Sequence, residues 1–251
     1  LTRLVKEIDC SNCGAPLEFE PGELIVSCRY CGYTSVIQTG EPFTLEHSMV
    51  LNTTKEEEVN ELIRSWMKQS FMAPRDLERK ATVSEATLVY LPFWVMSTKS
   101  TTTYKGAVER VTPVVNKEGQ VNNRYSWLVI ARKGVDFPTR AYKIPLEGRI
   151  PFDPTKLART AKILNSEIEK AEAVEIAEQE IKQHQLFIAK QDVDIIIESQ
   201  FEFNLEEVFY IHAPVWFVSY TYKGSEYQIL LDGASKDIIK GGFPPVEFKL
   251  I

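Results

Sequence analysis

Ser84-Glu85-Ala86-Thr87-Leu88-Val89-Tyr90-Leu91-Pro92-Phe93-Trp94-Val95-Met96-Ser97 aligns with Glu206-Glu207-Val208-Phe209-Tyr210-Ile211-His212-Ala213-Pro214-Val215-Trp216-Phe217-Val218-Ser219. Tyr90, Pro92 and Trp94 are answered by His212, Pro214 and Trp216. Both copies then reach Tyr-Lys-Gly, at Tyr104-Lys105-Gly106 and Tyr222-Lys223-Gly224, with a four-residue slip between them. Runs this rich in β-branched and aromatic residues read as strands, and their repetition reads as a duplicated unit. The prolines suit a strand's start or edge, because proline cannot donate to a ladder. Trp94 and Trp216 lie among apolar neighbours, so packing is the expected use of their large area, ahead of a stacking platform for nucleic acid.

Each copy is preceded by a helical pattern. The first can be capped by Thr53 or Thr54 with Glu56 or Glu57 three residues on. Val59, Leu62, Ile63, Trp66 and Met67 give it one apolar face, and Pro74 stops it. The second is announced by Asp153 as N-cap and Pro154 at the first helical position. Leu157, Ala161, Leu164, Ile168 and Ala171, then Ala177, Ile181, His184 and Ile188, predict about ten turns if the helix is unbroken. A break near Lys170 to Val174, or two antiparallel helices, are the alternatives. A short strand is expected at 43–45, ahead of the first helix. Between and after the helices, strands are expected at 86–96, 101–111 and 125–131, with a turn at Asn116-Lys117-Glu118-Gly119. Further strands are expected at 193–197, 201–203, 208–211, 215–222 and 227–231, and Asp232-Gly233 turns the chain into Ile238-Ile239.

Ahead of the duplicated body stand all four cysteines of the chain, in Cys10-Ser11-Asn12-Cys13-Gly14 and Cys28-Arg29-Tyr30-Cys31-Gly32. Paired CxxC turns supply four thiolates for one tetrahedral Zn2+, with Cys10, Cys13, Cys28 and Cys31 as ligands. Four protein ligands close the coordination sphere, so the ion is expected to be structural. The glycines after Cys13 and Cys31 suit turns with φ > 0. Leu17 to Glu20, Pro21-Gly22, then Leu24 to Val26 reads as a hairpin joining the two cysteine pairs. Two disulfides, or a redox CxxC, are the rival readings; no signal peptide marks a secreted chain, and redox motifs come singly. The expected architecture is α+β: a four-cysteine zinc ribbon at 1–40, a first helix plus β unit at 41–150, and a long helix plus second β unit at 151–251. The two units are expected to pack as one pseudo-duplicated domain with antiparallel sheet.

The order of CxxCGAPLxF, a second CxxCG, a helix containing Trp66 and ending in Phe71-Met72-Ala73-Pro74, and then Val89-Tyr90-Leu91-Pro92-Phe93-Trp94 resembles a broad group of uncharacterised bacterial and archaeal zinc-ribbon proteins. The closing Tyr227 to Pro244 stretch is similar to that group as well. Some members are labelled as transcription-factor-like zinc ribbons or as primosomal proteins. The resemblance spans nearly the whole chain and implies a zinc site with a β-rich body. Some relatives carry a second ribbon and membrane segments, and this sequence has neither.

The 251 residues carry a formal charge of −6, to which a four-thiolate zinc centre adds about −2. Such a chain is a poor general phosphate binder and suits a basic protein surface. No apolar run approaches a membrane span, so the sequence is read as soluble and cytoplasmic, with an anchor beyond Ile251 left open. The three histidines, His47, His184 and His212, show no metal-protease spacing, and no phosphate-binding glycine loop or nucleophile elbow occurs. His184 is expected to pack or to be partly exposed. Basic residues are scattered as Arg75, Arg79, Lys80, Arg132, Lys133, Arg140 and Lys143, and of these the Arg75 to Lys80 group allows a minor RNA contact, against the plainer reading of ordinary surface charge. The functional expectation is therefore a non-enzymatic, ribosome-associated or transcription-associated protein docking through protein contacts, self-associating as a homodimer through open ribbon edges. The alternatives are a soluble domain of a membrane-associated scaffold and a hydrolase-like enzyme whose site folding assembles.

Overall fold

The computed structural model describes residues 6–10, 14–19, 25–28, 34–36, 47–69 and 73–245. The chain is mostly β-sheet, 47% strand against 22% helix, in a curled mixed sheet, which corrects the expected α+β zinc-ribbon class. Two departures account for the difference.

The first lies at 153–169. Asp153 does act on the next residues, its carboxylate accepting from the Thr155 backbone N–H and hydroxyl, but it closes one 3-10 turn at Pro154–Lys156 and no helix. Part of the backbone that follows is taken by the sheet, and part by a neighbouring carbonyl. Lys162 and Ile163 pair in parallel with Val89 and Tyr90, the Leu164 N–H donates to the Tyr90 carbonyl, and those of Glu167 and Ile168 donate to Ala131. A helix begins only at Lys170. Of the helix-spaced residues, Ala161 and Ile168 are buried without a helix, on either side of the short strand that buries Ile163, because sheet partners outcompete periodicity.

The second is strand length. What reads as separate short strands is one strand at Thr82–Val108 and another at Ile195–Tyr222. The expected turn at 116–119 also lies inside a strand, Val115–Ile130, paired from Phe93↔Ile130 to Val108↔Val115. Pro92 and Pro214 sit buried within the two longest strands, at neither a start nor an edge. Residues 88–96 and 209–216 are buried without a break, as in strands covered on both faces.

In chain order the strands are β1 Lys6–Asp9, β2 Pro16–Phe19, β3 Ile25–Ser27, β4 Thr34–Val36, β5 His47–Val50, β6 Thr82–Val108 and β7 Val115–Ile130. They continue with β8 Arg149–Pro151, β9 Lys162–Ile163, β10 Ile195–Tyr222, β11 Ser225–Asp232 and β12 Ile238–Gly241. The helices are α1 Glu56–Gln69, α2 Leu77–Lys80 and α3 Lys170–Ala189. The fold forms two compact units, Leu1–Pro92 with Gly134–Ser166 and Ile211–Ile251, and Phe93–Lys133 with Glu167–Tyr210. The copies of the repeated motif thus each run through a unit boundary, after Pro92 and after Tyr210.

In the first unit the strand order is β12-β11-β10-β5-β8, with β6 pairing β10 and β9. The turn after Asp232 forms as expected, bringing Ile238 opposite Leu231. Helix α1 buries Val59, Ile63 and Met67 into a core with Met49, Tyr90, Trp216 and Tyr220. Its start differs from the sequence reading. The Lys55 N–H donates to the Glu58 carboxylate, whereas the Thr54 hydroxyl donates to the Gly233 carbonyl and that of Thr53 to Ala234.

In the second unit β6 lies between β7 and the Ile195–Tyr210 part of β10. Helix α3 packs on β7 through the buried stripe Ala173, Ala177, Ile181, Gln185 and Ala189. Gln185 is held from both sides, accepting from the Thr102 hydroxyl at 2.6 Å and donating to the Ser100 carbonyl at 2.8 Å. Trp94 is buried and donates to the Ile168 carbonyl at 2.8 Å, which fits the packing role read from its neighbours.

Candidate functional site

Each cysteine segment is flanked by a pair of antiparallel strands. β1 pairs β2 from Lys6↔Phe19 to Asp9↔Pro16, so residues 10–15 form the connecting loop. β3 pairs β4 from Ile25↔Val36 to Ser27↔Thr34, so residues 28–33 form the other. Both loops are six residues long and each contains one CxxCG. The hairpin expected between the two cysteine pairs is replaced, because β2 bonds to β1 and β3 to β4.

Within the first loop the Gly14 N–H donates to the Cys10 carbonyl at 2.8 Å, and the Cys10 N–H donates to the Ala15 carbonyl at 2.8 Å. Gly14 has φ +69°, the left-handed conformation expected after a CxxC turn. Cys10 and Cys28, the first cysteine of each loop, are both buried in one cluster with Leu17 and Val26. Cys13 and Cys31 lie outside the described residues, as do Gly32 and the expected strand at 43–45. Among the described residues no group of three or more His, Cys, Asp or Glu side chains is placed to hold a metal ion. Two buried soft donors brought into one cluster, each heading a loop with a second cysteine, fit a four-thiolate zinc ion.

A second constellation was not legible in the sequence. His47 on β5 and His212 on β10 meet with Nε2 and Nδ1 at 2.7 Å, though 165 residues separate them. The Leu164 carbonyl, 2.9 Å from His212 Nε2, can only accept, so Nε2 carries the proton and Nδ1 accepts from His47. Phe152 stacks on the His47 ring at 4.1 Å and 11°, and its N–H donates to the His47 carbonyl. Burial drives both rings toward neutrality. It lowers His47 to about 3, helped by the nearby His212. It lowers His212 to about 4 against the opposing pull of Leu164. Both ring nitrogens of His212 are engaged in this chain, which suits a structural pair better than a proton shuttle.

Beside it the loop Asn52–Thr54 is sewn to the turn after β11. The Asn52 amide accepts from the Trp216 indole at 3.1 Å and donates to the Thr54 carbonyl at 2.8 Å, and its backbone N–H donates to the Tyr90 hydroxyl. Asp232 is fully buried and accepts from the N–H groups of Ala234 and Ser235; burial raises its carboxyl above the ordinary range. Trp216, like Trp94, is therefore core. His184 is exposed on α3, edge-on to Tyr125. Of the group read for an RNA contact, Lys80 pairs with Asp76; of the other scattered basic residues, Arg132 pairs with Glu167 and Lys133 with Glu172.

No helix among the described residues is long and apolar enough to cross a membrane. No family model, curated protein or solved structure matches this chain.

Proposed function

We propose that the protein is a non-enzymatic interaction protein whose N-terminal hairpins are ordered by one structural Zn2+ on Cys10, Cys13, Cys28 and Cys31. The observation that carries this reading is that Cys10 and Cys28 share one buried cluster, each directly after the first strand of an antiparallel pair and each opening a CxxCG in the sequence. Bound zinc supplies a cross-link to a segment whose described core is only Cys10, Leu17, Val26 and Cys28 with Ala15 against it. The charge of −6 favours a basic protein surface as partner, in a setting such as a ribosomal subunit or the transcription apparatus.

Elemental analysis of the purified chain should find one zinc per chain, and Cys10→Ser or Cys28→Ser should lose it while the histidine-containing body stays folded. Capture of partners by the full chain at low and moderate salt then tests the docking role. Basic proteins of a nucleoprotein assembly, retained at moderate salt and lost with Cys28→Ser, are the expected outcome. Zinc-free protein with undiminished binding would overturn the reading.

A further inference from the structure

The second unit ends in an unusual edge. Within it β6 is flanked by β7 and by residues 195–210 of β10, while the other neighbours of β10, β5 and β11, belong to the first unit. The segment Ile195-Ile196-Ile197-Glu198-Ser199-Gln200-Phe201-Glu202-Phe203-Asn204-Leu205-Glu206-Glu207 is thus an edge strand of that unit. It contains no proline, lysine or arginine, and its charged residues are the glutamates Glu198, Glu202, Glu206 and Glu207, so a partner must avoid setting these against one another. Its exposure is high: Ile195 is 44% and Ile197 66% exposed, and residues 198–200, 202 and 204 are all exposed.

Its two faces differ in kind. Glu198 reaches Lys105 at 4.0 Å and Glu206 reaches Arg124 at 2.8 Å, so from 198 to 206 the even-numbered residues share one polar face, while Ile196 packs against the cluster of Tyr104, Val121, Ala189 and Val193. Alternation puts Ile197, Phe201, Phe203 and Leu205 on the other, where the Phe201 and Phe203 rings lie 6.4 Å apart. We infer that this edge pairs antiparallel with the same edge of a second copy, about a twofold axis through Phe201.

The charge pattern selects that occupant and that register. A twofold axis perpendicular to a sheet preserves its faces, so one residue must sit on the axis and partners must share parity. Glu198, Glu202 and Glu206 recur every four residues, so an even-numbered residue on the axis sets glutamate against glutamate. An odd-numbered one never opposes any two of these three. Phe201 is the midpoint of Ile195–Glu207, and centring there pairs the whole segment. Phe201 then meets its own copy, Ile197 meets Leu205, Glu198 meets Asn204, Ser199 meets Phe203 and Gln200 meets Glu202, and at the ends Ile195 and Ile196 face Glu207 and Glu206. Opposed aromatic and aliphatic pairs stabilise a sheet, and like charges directly opposite destabilise it.

Sedimentation equilibrium of the full chain over a concentration series tests this directly. Gln200 is exposed, so its substitution leaves the monomer fold intact. Dimerisation is expected in the parent chain. Gln200→Glu places two like-charged pairs in each dimer and should weaken it about tenfold, whereas Gln200→Lys faces Glu202 and should tighten it by a similar factor. Under mild oxidation the Phe201→Cys variant should yield, by mass spectrometry, a disulfide-linked peptide pair joined through the substituted position of both copies. A monomer at every concentration overturns the proposal, and so does a dimer indifferent to both Gln200 variants that forms no such cross-link.

Discussion

At the residue scale the buried histidines couple stability to pH. In the folded chain His47 and His212 titrate at about 3 and about 4, against an ordinary value near 6.5. The unfolded chain therefore binds more protons below about pH 6.5, so stability is full above that value and falls as pH drops. The loss approaches about 1.4 kcal/mol per pH unit for each imidazole and ends near the folded values. Asp232 acts oppositely, since its raised carboxyl favours the folded state on acidification. Urea unfolding between pH 7 and about pH 4.5 should show the decline, and His47→Gln should flatten it; an unchanged slope would refute the assignment. Asn52→Ala, which strips the Trp216 indole of its acceptor, should cost about 1–3 kcal/mol in the same assay.

At the element scale, packing of α1 against the end of the chain depends on one missing side chain. Trp66 on α1 stacks on Phe243 at 4.1 Å, and a Cβ on Gly241 would stand 2.1 Å from the indole. Gly241→Ala should therefore destabilise the protein by about 1–3 kcal/mol, the usual cost of overpacking. Gly148→Ala is the matched control, because nothing lies within 4 Å of its Cβ. Equal melting temperatures for the two variants would show that Trp66 does not occupy that space. The apolar face of α1 was legible from its periodicity, since Val59, Ile63 and Met67 are all buried. Its cap was not. The hydroxyls of Thr53 and Thr54 are claimed by a turn some 180 residues away in sequence, and Glu58 reaches back to Lys55.

At the scale of the whole molecule, β6 and β10 each contribute residues to both compact units. Unfolding either unit frees a length of both strands, so the two should melt together. Gly241→Ala in the first unit and Gly106→Val in the second, where a Cβ would meet the Ile195 carbonyl at 2.5 Å, should lower one common transition. Two separable transitions in calorimetry would show the units to be independent.

The sequence by itself determined what is local in origin: the duplicated β motif, the amphipathic face of α1, the Asp232 turn and the left-handed Gly14 that follows the first CxxC. Tertiary structure decided what depends on distant partners. Residues 153–169 carry helical spacing, yet Lys162 and Ile163 pair with Val89 and Tyr90, and the Glu167 and Ile168 N–H groups are taken by the Ala131 carbonyl. Pro92 and Pro214 read as strand edges, yet their neighbours continue the ladder on either side. His47 and His212 carry no signal in their spacing, and only strand pairing brings the two rings to 2.7 Å. The physical reason is common to all three. A peptide group or imidazole removed from water must find a partner, and distance along the chain says nothing about where that partner lies.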